Sequence, residues 1–475
     1  MNKLPARTKF AYGMGQLAER LKNQGFETFL FFYFTQVQGL SGTLAGTAIL
    51  IALIFDAVTD PLVGSLSDNW KGGRGRRHPF MLAAAIPMGI FFIILFSPPS
   101  SFGQTGLFLW LTLGSIAVRT AMTVYHVPYM ALGAELSDDY YERTSIVTWR
   151  TLISFTLSSA FILISYIAFF PESAEFENGM LNPEGYPRYA AFAALLMMAA
   201  IFCAALGTPV PLDRHTTSAK APRPFSARRL ALELSAAWNN QSFRSLFLGF
   251  TAYGALLGLL LTLTTHMNVF FWGFNTEQIP WLLAAVIVGF ALGPPLTGPL
   301  HKRFDKMPTL LAGCVAATIT GNLPIVLKLL GLLPPNGSSE LLLVVAFFLL
   351  LTMTLSAVNI VSVGSMMADV AEEHSLNAGE SKQGIIFSAL SFSGKLSSGF
   401  GHFFAGVGLD LIAFPLHLEP SEVTAESVHR LGLLNVFTIT LVALALWAFR
   451  SYTITRQSQR DTQQALADAQ LTPSD

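Results

Sequence analysis

Ile54-Phe55-Asp56-Ala57-Val58-Thr59-Asp60-Pro61-Leu62-Val63-Gly64 places two aspartates inside an apolar run from about Leu44 to Leu66. A run of this length crosses a bilayer as a helix. Asp56 and Asp60 are then one turn apart on one face, with Cβ atoms about 5–6 Å from each other. Two adjacent carboxylates in a low dielectric do not both stay ionised unaided. Either one takes a proton or a cation sits between them. An acid inside a membrane helix is in the first instance a functional-site residue. The pair therefore points to ion-coupled movement of a solute.

The rest of the chain supports a bilayer setting. Of 475 residues, 52% are hydrophobic and 12% charged, against about 25% charged in soluble domains. Formal net charge is zero, which gives no reason to expect nucleic acid as a partner. The partners expected are the lipid bilayer, a small-molecule solute and a coupling cation, with the protein acting as a monomer. Cys203 and Cys314 lie far apart in apolar runs and read as packing residues. The basic start (Lys3, Arg7, Lys9) lacks a small-residue cleavage site and is read as no removable signal peptide.

Apolar segments of spanning length recur at about 9–37, 43–67, 79–97, 105–134, 146–170, 188–209, 243–272, 278–300, 307–331, 340–368, 382–412 and 430–449. The expected fold is an all-α membrane protein with twelve transmembrane helices in two six-helix halves. The halves are 1–209 and 243–450, joined by a cytoplasmic linker over 210–242 and followed by a cytoplasmic tail over 451–475.

Basic residues concentrate after the second span (Lys71, Arg74, Arg76, Arg77), after the eighth (Lys302, Arg303, Lys306) and in the linker (Arg214, Lys220, Arg223, Arg228, Arg229). By the positive-inside rule these loops and both termini are cytoplasmic. The loop 171–187 on the other side is acidic. The expected location is the bacterial inner (plasma) membrane, as a multi-pass protein.

An internal repeat supports the halves. Pro61-Leu62-Val63-Gly64-Ser65-Leu66 matches Pro295-Leu296-Thr297-Gly298-Pro299-Leu300, and the same offset, 298 − 64 = 234, pairs Ala134-Glu135 with Ala368-Asp369. Parallel repeats place a solute site near the midplane between halves. The aspartate pair does not repeat: Asp56 maps to Phe290 and Asp60 to Pro294. A single cation site in the first half is expected, formed by Asp56 and Asp60 with Thr59 adding an oxygen.

Further charges fall inside spans. On the first, Glu19, Asn23 and Glu27 share a face by i, i+4, i+8 spacing, with Arg20 and Lys22 beside them. On the fourth, Arg119, Thr123 and His126 form a stripe, and Tyr125 and Tyr129 read as wall residues. Arg150 opens the fifth span, and Lys395 follows Phe392-Ser393-Gly394 on the eleventh, placed to neutralise a carboxylate or meet solute. Structural ion pairing is the alternative for the charges on the first and second spans, and snorkelling for Arg150. Asp68, Arg76, Arg143 and Asp369 flank the cytoplasmic loops. They are expected to gate, by ion pairs across that face between the halves that hold the outward-open state. Neither a hydrolase elbow, a zinc motif nor a phosphate loop is found. An enzyme is therefore not expected, nor any cofactor beyond a coupling cation, sodium or proton. A membrane sensor that moves nothing is a third class of reading, disfavoured by the embedded charges.

Asp56-Ala57-x-x-Asp60-Pro61-x-x-Gly64 followed by Gly75-Arg76-Arg77-His78-Pro79-Phe80 resembles the glycoside–pentoside–hexuronide:cation symporters, the melibiose-permease-like branch of the major facilitator superfamily. Tyr12-Gly13-x-Gly15, Phe34-Thr35-x-Val37-x-Gly39-Leu40, Val127-Pro128-Tyr129, Arg150, Met367-Ala368-Asp369 and Lys395 extend the resemblance over most of the chain. It implies alternating access and cation-coupled symport of a sugar, glycoside, uronide or similar solute. It also implies a cation held as a metal ion at Asp56 and Asp60 with Thr123 as a further ligand. Lys395 would link that site to the other half, and Arg150 would lie near the sugar. There are departures. The family's third acid falls at His126, its sugar-binding acid at Arg20 with Glu19 beside it, and its sugar-packing aromatics at Met130 and about Ile360. With Asn23 from the shared helix face, the expected solute site is Glu19, Arg20, Asn23, His126, Met130, Arg150 and Lys395. A cationic Arg20 would suit an anionic solute. Sodium-dependent lysophospholipid transporters share a similar second helix and supply the alternative solute class.

Overall fold

A computed structural model describes residues 4–70, 75–137, 139–210, 238–378 and 383–471. Most of the 210–242 linker, Lys71, Arg74 and Asp138 lie outside them. Among the described residues every regular element is helical. The first half comprises α1 (Ala6–Gln24), α2 (Gly42–Asp68), α3 (His78–Leu95), α4 (Gln104–Glu135), α5 (Tyr140–Phe169) and α6 (Gly185–Gly207). The second comprises α7 (Gln241–His266), α8 (Ile279–Phe304), α9 (Lys306–Leu329), α10 (Ser339–Ala378), α11 (Gln383–Leu411) and a last span split into α12 (Ala425–Val436) and α13 (Ile439–Phe449). A polar helix, α14 (Arg456–Leu471), follows. Among the described residues ten spans are long and apolar enough to cross a membrane, and the helices α1 and α11 bring the number to twelve. This is an integral, multi-pass membrane protein.

The two halves pack alike. In the first, α1 lies against α5 and α6, α2 against α4, and α3 against α4 and α6. In the second, α7 lies against α11 and α13, α8 against α10, and α9 against α10 and the split twelfth span.

The 234-residue offset extends to the backbone. α1 runs on through π-helical turns at Gly25–Leu30 and Tyr33–Val37, and α7 through one at Met267–Phe271. After these turns the N–H of Gln38 donates to the Tyr33 carbonyl at 2.9 Å, and that of Leu40 to Phe34 at 2.8 Å. Trp272 to Met267 and Phe274 to Asn268 repeat the pattern, both at 2.8 Å. Gly39 (φ 70°) and Gly273 (φ 65°) take the left-handed conformation at the same step, which glycine adopts without a Cβ clash.

Tyr125 and Tyr129, read as wall residues, are buried packing groups instead. Tyr125 Oη donates to the Gly15 carbonyl at 2.9 Å and Tyr129 Oη to that of Tyr12 at 2.7 Å, clamping α4 to α1. Interhelical hydrogen bonds of this kind contribute about 0.6–2 kcal/mol inside a bilayer.

Contacts between the halves are concentrated away from the basic loops. α2 packs along α11 with Gly42 against Gly406 and Gly46 against His402. Thr265 Oγ1 donates to the Thr28 carbonyl at 3.0 Å, and the Thr35 hydroxyl meets His266 Nε2 at 3.3 Å. In the loops beyond, Asn178 Nδ2 donates to Phe274 O at 3.1 Å, and Ser421 Oγ to Glu177 at 2.6 Å. On the basic face, the acids expected to pair across the halves pair within them. Arg77 meets Asp68 at 2.6 Å and Glu135 at 2.9 Å, and Arg76 meets Glu135 at 3.0 Å. Lys306 meets Asp369 at 2.5 Å, and Arg143 Nε donates to Ser137 O at 2.7 Å. In this state Asp68, Arg76 and Asp369 make no ion pair across the halves among the described residues. Where the halves are apart, each acid is satisfied by the nearest base of its own half.

Candidate functional site

A cavity of ≈ 340 Å³ lies between the halves, walled by α1, α2, α4 and α11. Its dominant feature is a charge cluster that crosses the interface. Thr123 Oγ1 lies 2.9 Å from Asp56 Oδ1 and 2.9 Å from Asp60 Oδ1. Lys395 Nζ lies 2.8 Å from Asp56 Oδ2 and 2.5 Å from Asp60 Oδ2. Helical spacing explains the meeting: Asp56 and Asp60 are one turn apart, so one threonine of α4 and one lysine of α11 reach both. The ammonium is the positive charge that the paired acids require. Arg119 Nη1 adds a longer contact to Asp56 Oδ2 at 3.7 Å.

Thr59 is not part of this cluster. Its hydroxyl donates to the Asp56 carbonyl at 3.2 Å within α2, and it does not line the cavity. One residue short of Asp60, it points about 100° round the helix.

α1 supplies the facing wall through Glu19, Lys22, Asn23, Phe26 and Glu27, an i, i+3, i+4, i+7, i+8 stripe. Glu19 Oε2 lies 3.1 Å from His126 Nε2 and accepts from Gln16 Nε2 at 2.5 Å. Arg20 is exposed and absent from the cavity lining. Its place in the solute site is corrected: a residue one position after Glu19 cannot share Glu19's face. The cation on this wall is Lys22, three residues along, which the same helical spacing would have singled out.

Met130 and Arg150 also fall outside the cavity, with Arg150 Nη1 2.9 Å from Met130 Sδ. Met130 lies one turn beyond His126 on α4, about 6 Å nearer the basic face. The residues given too little weight from sequence are Lys22, Arg119 and His402. His402 lines the cavity, with Nδ1 2.7 Å from the Ser398 carbonyl.

The family of MFS/sugar transport proteins matches residues 11–456. The chain belongs to this family. It is a transporter of the major facilitator type, not an enzyme. An uncharacterised symporter of Synechocystis is 34% identical over 38% of the transporter, which spans about a third (34%) of that relative's length. The isoprimeverose transporter of Lactiplantibacillus pentosus is 26% identical over 84% of the transporter and 79% of its own length. The sodium-dependent lysophosphatidylcholine symporter 1 of Gallus gallus is 24% identical over 98% and 90%. Among solved structures, the nucleoside transporter NupG superposes with a TM-score of 0.65 at 13% identity, over 95% of the transporter and all of that chain (100%). At that identity the likeness shows the fold alone.

Proposed function

We propose that this transporter carries out cation-coupled symport of a sugar, glycoside, uronide or similar small polar solute across the bacterial inner (plasma) membrane by alternating access. One observation carries the reading. The Lys395 ammonium is held between Asp56 and Asp60, where a coupling cation would sit, and it comes from the other half. The carboxylate oxygens of Asp56 and Asp60 and the Thr123 hydroxyl offered there suit a hard cation such as sodium, or a proton. A cation that displaces the ammonium breaks the bridge between the halves. Its arrival is thereby linked to the movement of one half against the other. The termini and the basic face are cytoplasmic in this reading, and the contacts on the acidic-loop face close the outside.

The cavity supports a small solute. It is near the lower end of the about 300–1,000 Å³ of ordinary ligand sites, and charged and polar side chains make up most of its wall. A long acyl chain would find few partners among Phe26, Leu53, Met122 and Val127. That favours a sugar-like solute over the lysolipid of the chicken relative.

The test is concentrative uptake into proteoliposomes under an imposed sodium or proton gradient. Asp56→Asn is expected to abolish accumulation. Accumulation at the wild-type level by that variant would overturn the proposal.

A further inference from the structure

Among the described residues, no acid fully claims two of the cations in the cavity. Lys22 is 6% exposed and lines the cavity, yet it makes no hydrogen bond or ion pair among the described residues. Arg119 is 8% exposed, and its Nε is buried without a partner. Its contact with an acid is the long one to Asp56, at 3.7 Å. The guanidinium lies over the Phe26 ring, 4.6 Å from its centroid. Phe26 is one turn beyond Lys22 on α1, so the two cations share one part of the wall.

Leaving a buried charge unpaired is costly, several kcal/mol in general. The acids nearby do not answer it. Glu19 is engaged by His126 and Gln16, and Asp56 and Asp60 by Lys395 and Thr123. Glu27 lines the cavity and its charge is felt by both cations, but among the described residues it forms no direct ion pair with either. It is left, with Asn23, to meet hydroxyl groups.

We propose that Lys22 and Arg119 form a subsite for an anionic group on the transported solute, a carboxylate, sulfonate or phosphate, and that Arg119 ties this subsite to the cation. The inference rests on the cavity being the solute site. When a cation takes over the Asp56 carboxylate, Arg119 loses its one acidic contact and turns wholly to the anion. Cation and anionic solute then raise each other's affinity, because linkage is reciprocal. A neutral sugar gains nothing from Arg119 and shows weaker coupling. The arrangement fits a planar guanidinium that receives two oxygens beside a point-charge ammonium. A sugar acid and a lysolipid headgroup share this chemistry.

The experiment uses the full-length protein in detergent and matched probes differing by one charge. Methyl glucuronide is set against methyl glucoside, glucose 6-phosphate against glucose, and lysophosphatidic acid against monoacylglycerol. Thermal shift is read for each with and without sodium, at two pH values. The anionic member of at least one pair is expected to bind at least tenfold more tightly than its neutral partner. That ratio is expected to grow with sodium or at lower pH, and to collapse towards unity in Lys22→Gln and Arg119→Gln. The pair that responds tells a sugar acid from a lysolipid.

Lys22→Met provides a second check, since removing an unpaired buried charge raises Tm without ligand, whereas removing a structural ion pair lowers it. Equal binding within every pair, a preference for the anion that survives in both glutamine variants, or a lowered Tm in Lys22→Met would overturn the subsite. A preference that ignores the cation overturns the role given to Arg119. Stabilisation by sodium or protons without any preference for anions overturns this inference and leaves symport standing, while a missing cation response counts against symport itself.

Discussion

Lys395 on α11 and Asp60 on α2 belong to opposite halves of the molecule, and their charged atoms meet at 2.5 Å. The same ammonium reaches Asp56 at 2.8 Å. In the proposed symport, lysine and coupling cation compete for one pair of carboxylates. In Lys395→Met the acids lose their internal counter-charge, and a cation becomes their best partner. Sodium affinity is expected to rise at least about tenfold, equivalent to about 1.4 kcal/mol. Without cation the variant should be less stable than the wild type. The loss should fall short of the about 3–5 kcal/mol seen when a sealed pair is broken, because the Asp60 and Lys395 side chains are 35% and 23% exposed. Tm measured against sodium concentration checks both effects. An unchanged midpoint in sodium would show that the lysine does not occupy the cation's place.

Asp410 caps a helix of the other half. Its carboxylate accepts from Ser41 Oγ at 2.6 Å, from the Gly42 N–H at 2.9 Å and from the Thr43 N–H at 2.8 Å, all at the start of α2. These N–H groups have no partner inside their own helix. Opening the acidic-loop face leaves them and the carboxylate to water. Loss of a cap residue costs about 0.5–2 kcal/mol, so Asp410→Ala should shift the equilibrium towards the state open on that face by about 2- to 30-fold. A reporter is Leu50→Cys with Cys203→Ser and Cys314→Ser, since Leu50 packs on Gly399 of α11 just below this contact. Faster labelling by an impermeant maleimide from the acidic-loop side is expected.

The same closure depends on bare backbone at two glycines. A Cβ at Gly406 would overlap the Gly42 carbonyl, and a Cβ at Gly42 would come within 2.5 Å of the Gly406 carbonyl oxygen. Neither backbone can yield without separating α2 from α11. Overpacking of this kind costs about 1–3 kcal/mol. Gly406→Ala should therefore favour the state open on the acidic-loop face by about 5- to 150-fold, and the Leu50→Cys reporter measures it. The variant should retain its cation-dependent thermal shift, because the cation site lies elsewhere on α2. Equal labelling with and without the substitution would show that the helices close by another route.

Helical spacing made the meeting of Asp56 and Asp60 legible, because an α-helix puts them one turn apart on one face, while the family likeness pointed to Thr123 and Lys395 beside them. The repeat was legible from two short matches at one offset, and the backbone at Gly39 and Gly273 follows it to the residue. The solute wall was less legible, for a geometric reason. Likeness to a family aligns letters along a chain, whereas a cavity selects one face of a helix. Arg20 aligns with a binding position yet faces away, while Lys22 faces in. The pairing of the proposed gating residues is not legible for a different reason. Which base an acid pairs with depends on how far apart the halves stand, and no local pattern encodes that separation.

Glu419 gives the closure on the acidic-loop face a dependence on pH. It sits in the loop between α11 and α12, and its Oε2 is buried without a partner. Burial is the main cause that raises its pKa above the ordinary glutamate value, with the nearby Glu177 and Glu422 charges adding to it against backbone hydrogen bonds at Asn178 and Glu177. Glu177 itself ties this loop to the other half through Ser421. The sign follows from linkage. A carboxyl whose pKa is higher in the closed state than in the open one takes up a proton on closing. Closure is therefore disfavoured above that raised pKa and strengthened as pH falls through it. Lowering the external pH from neutral into the acidic range should slow maleimide labelling of Leu50→Cys. Glu419→Gln, which carries no charge at any pH, should label slowly throughout and lose this component of the pH response. A variant that kept the full response would place the titrating group elsewhere.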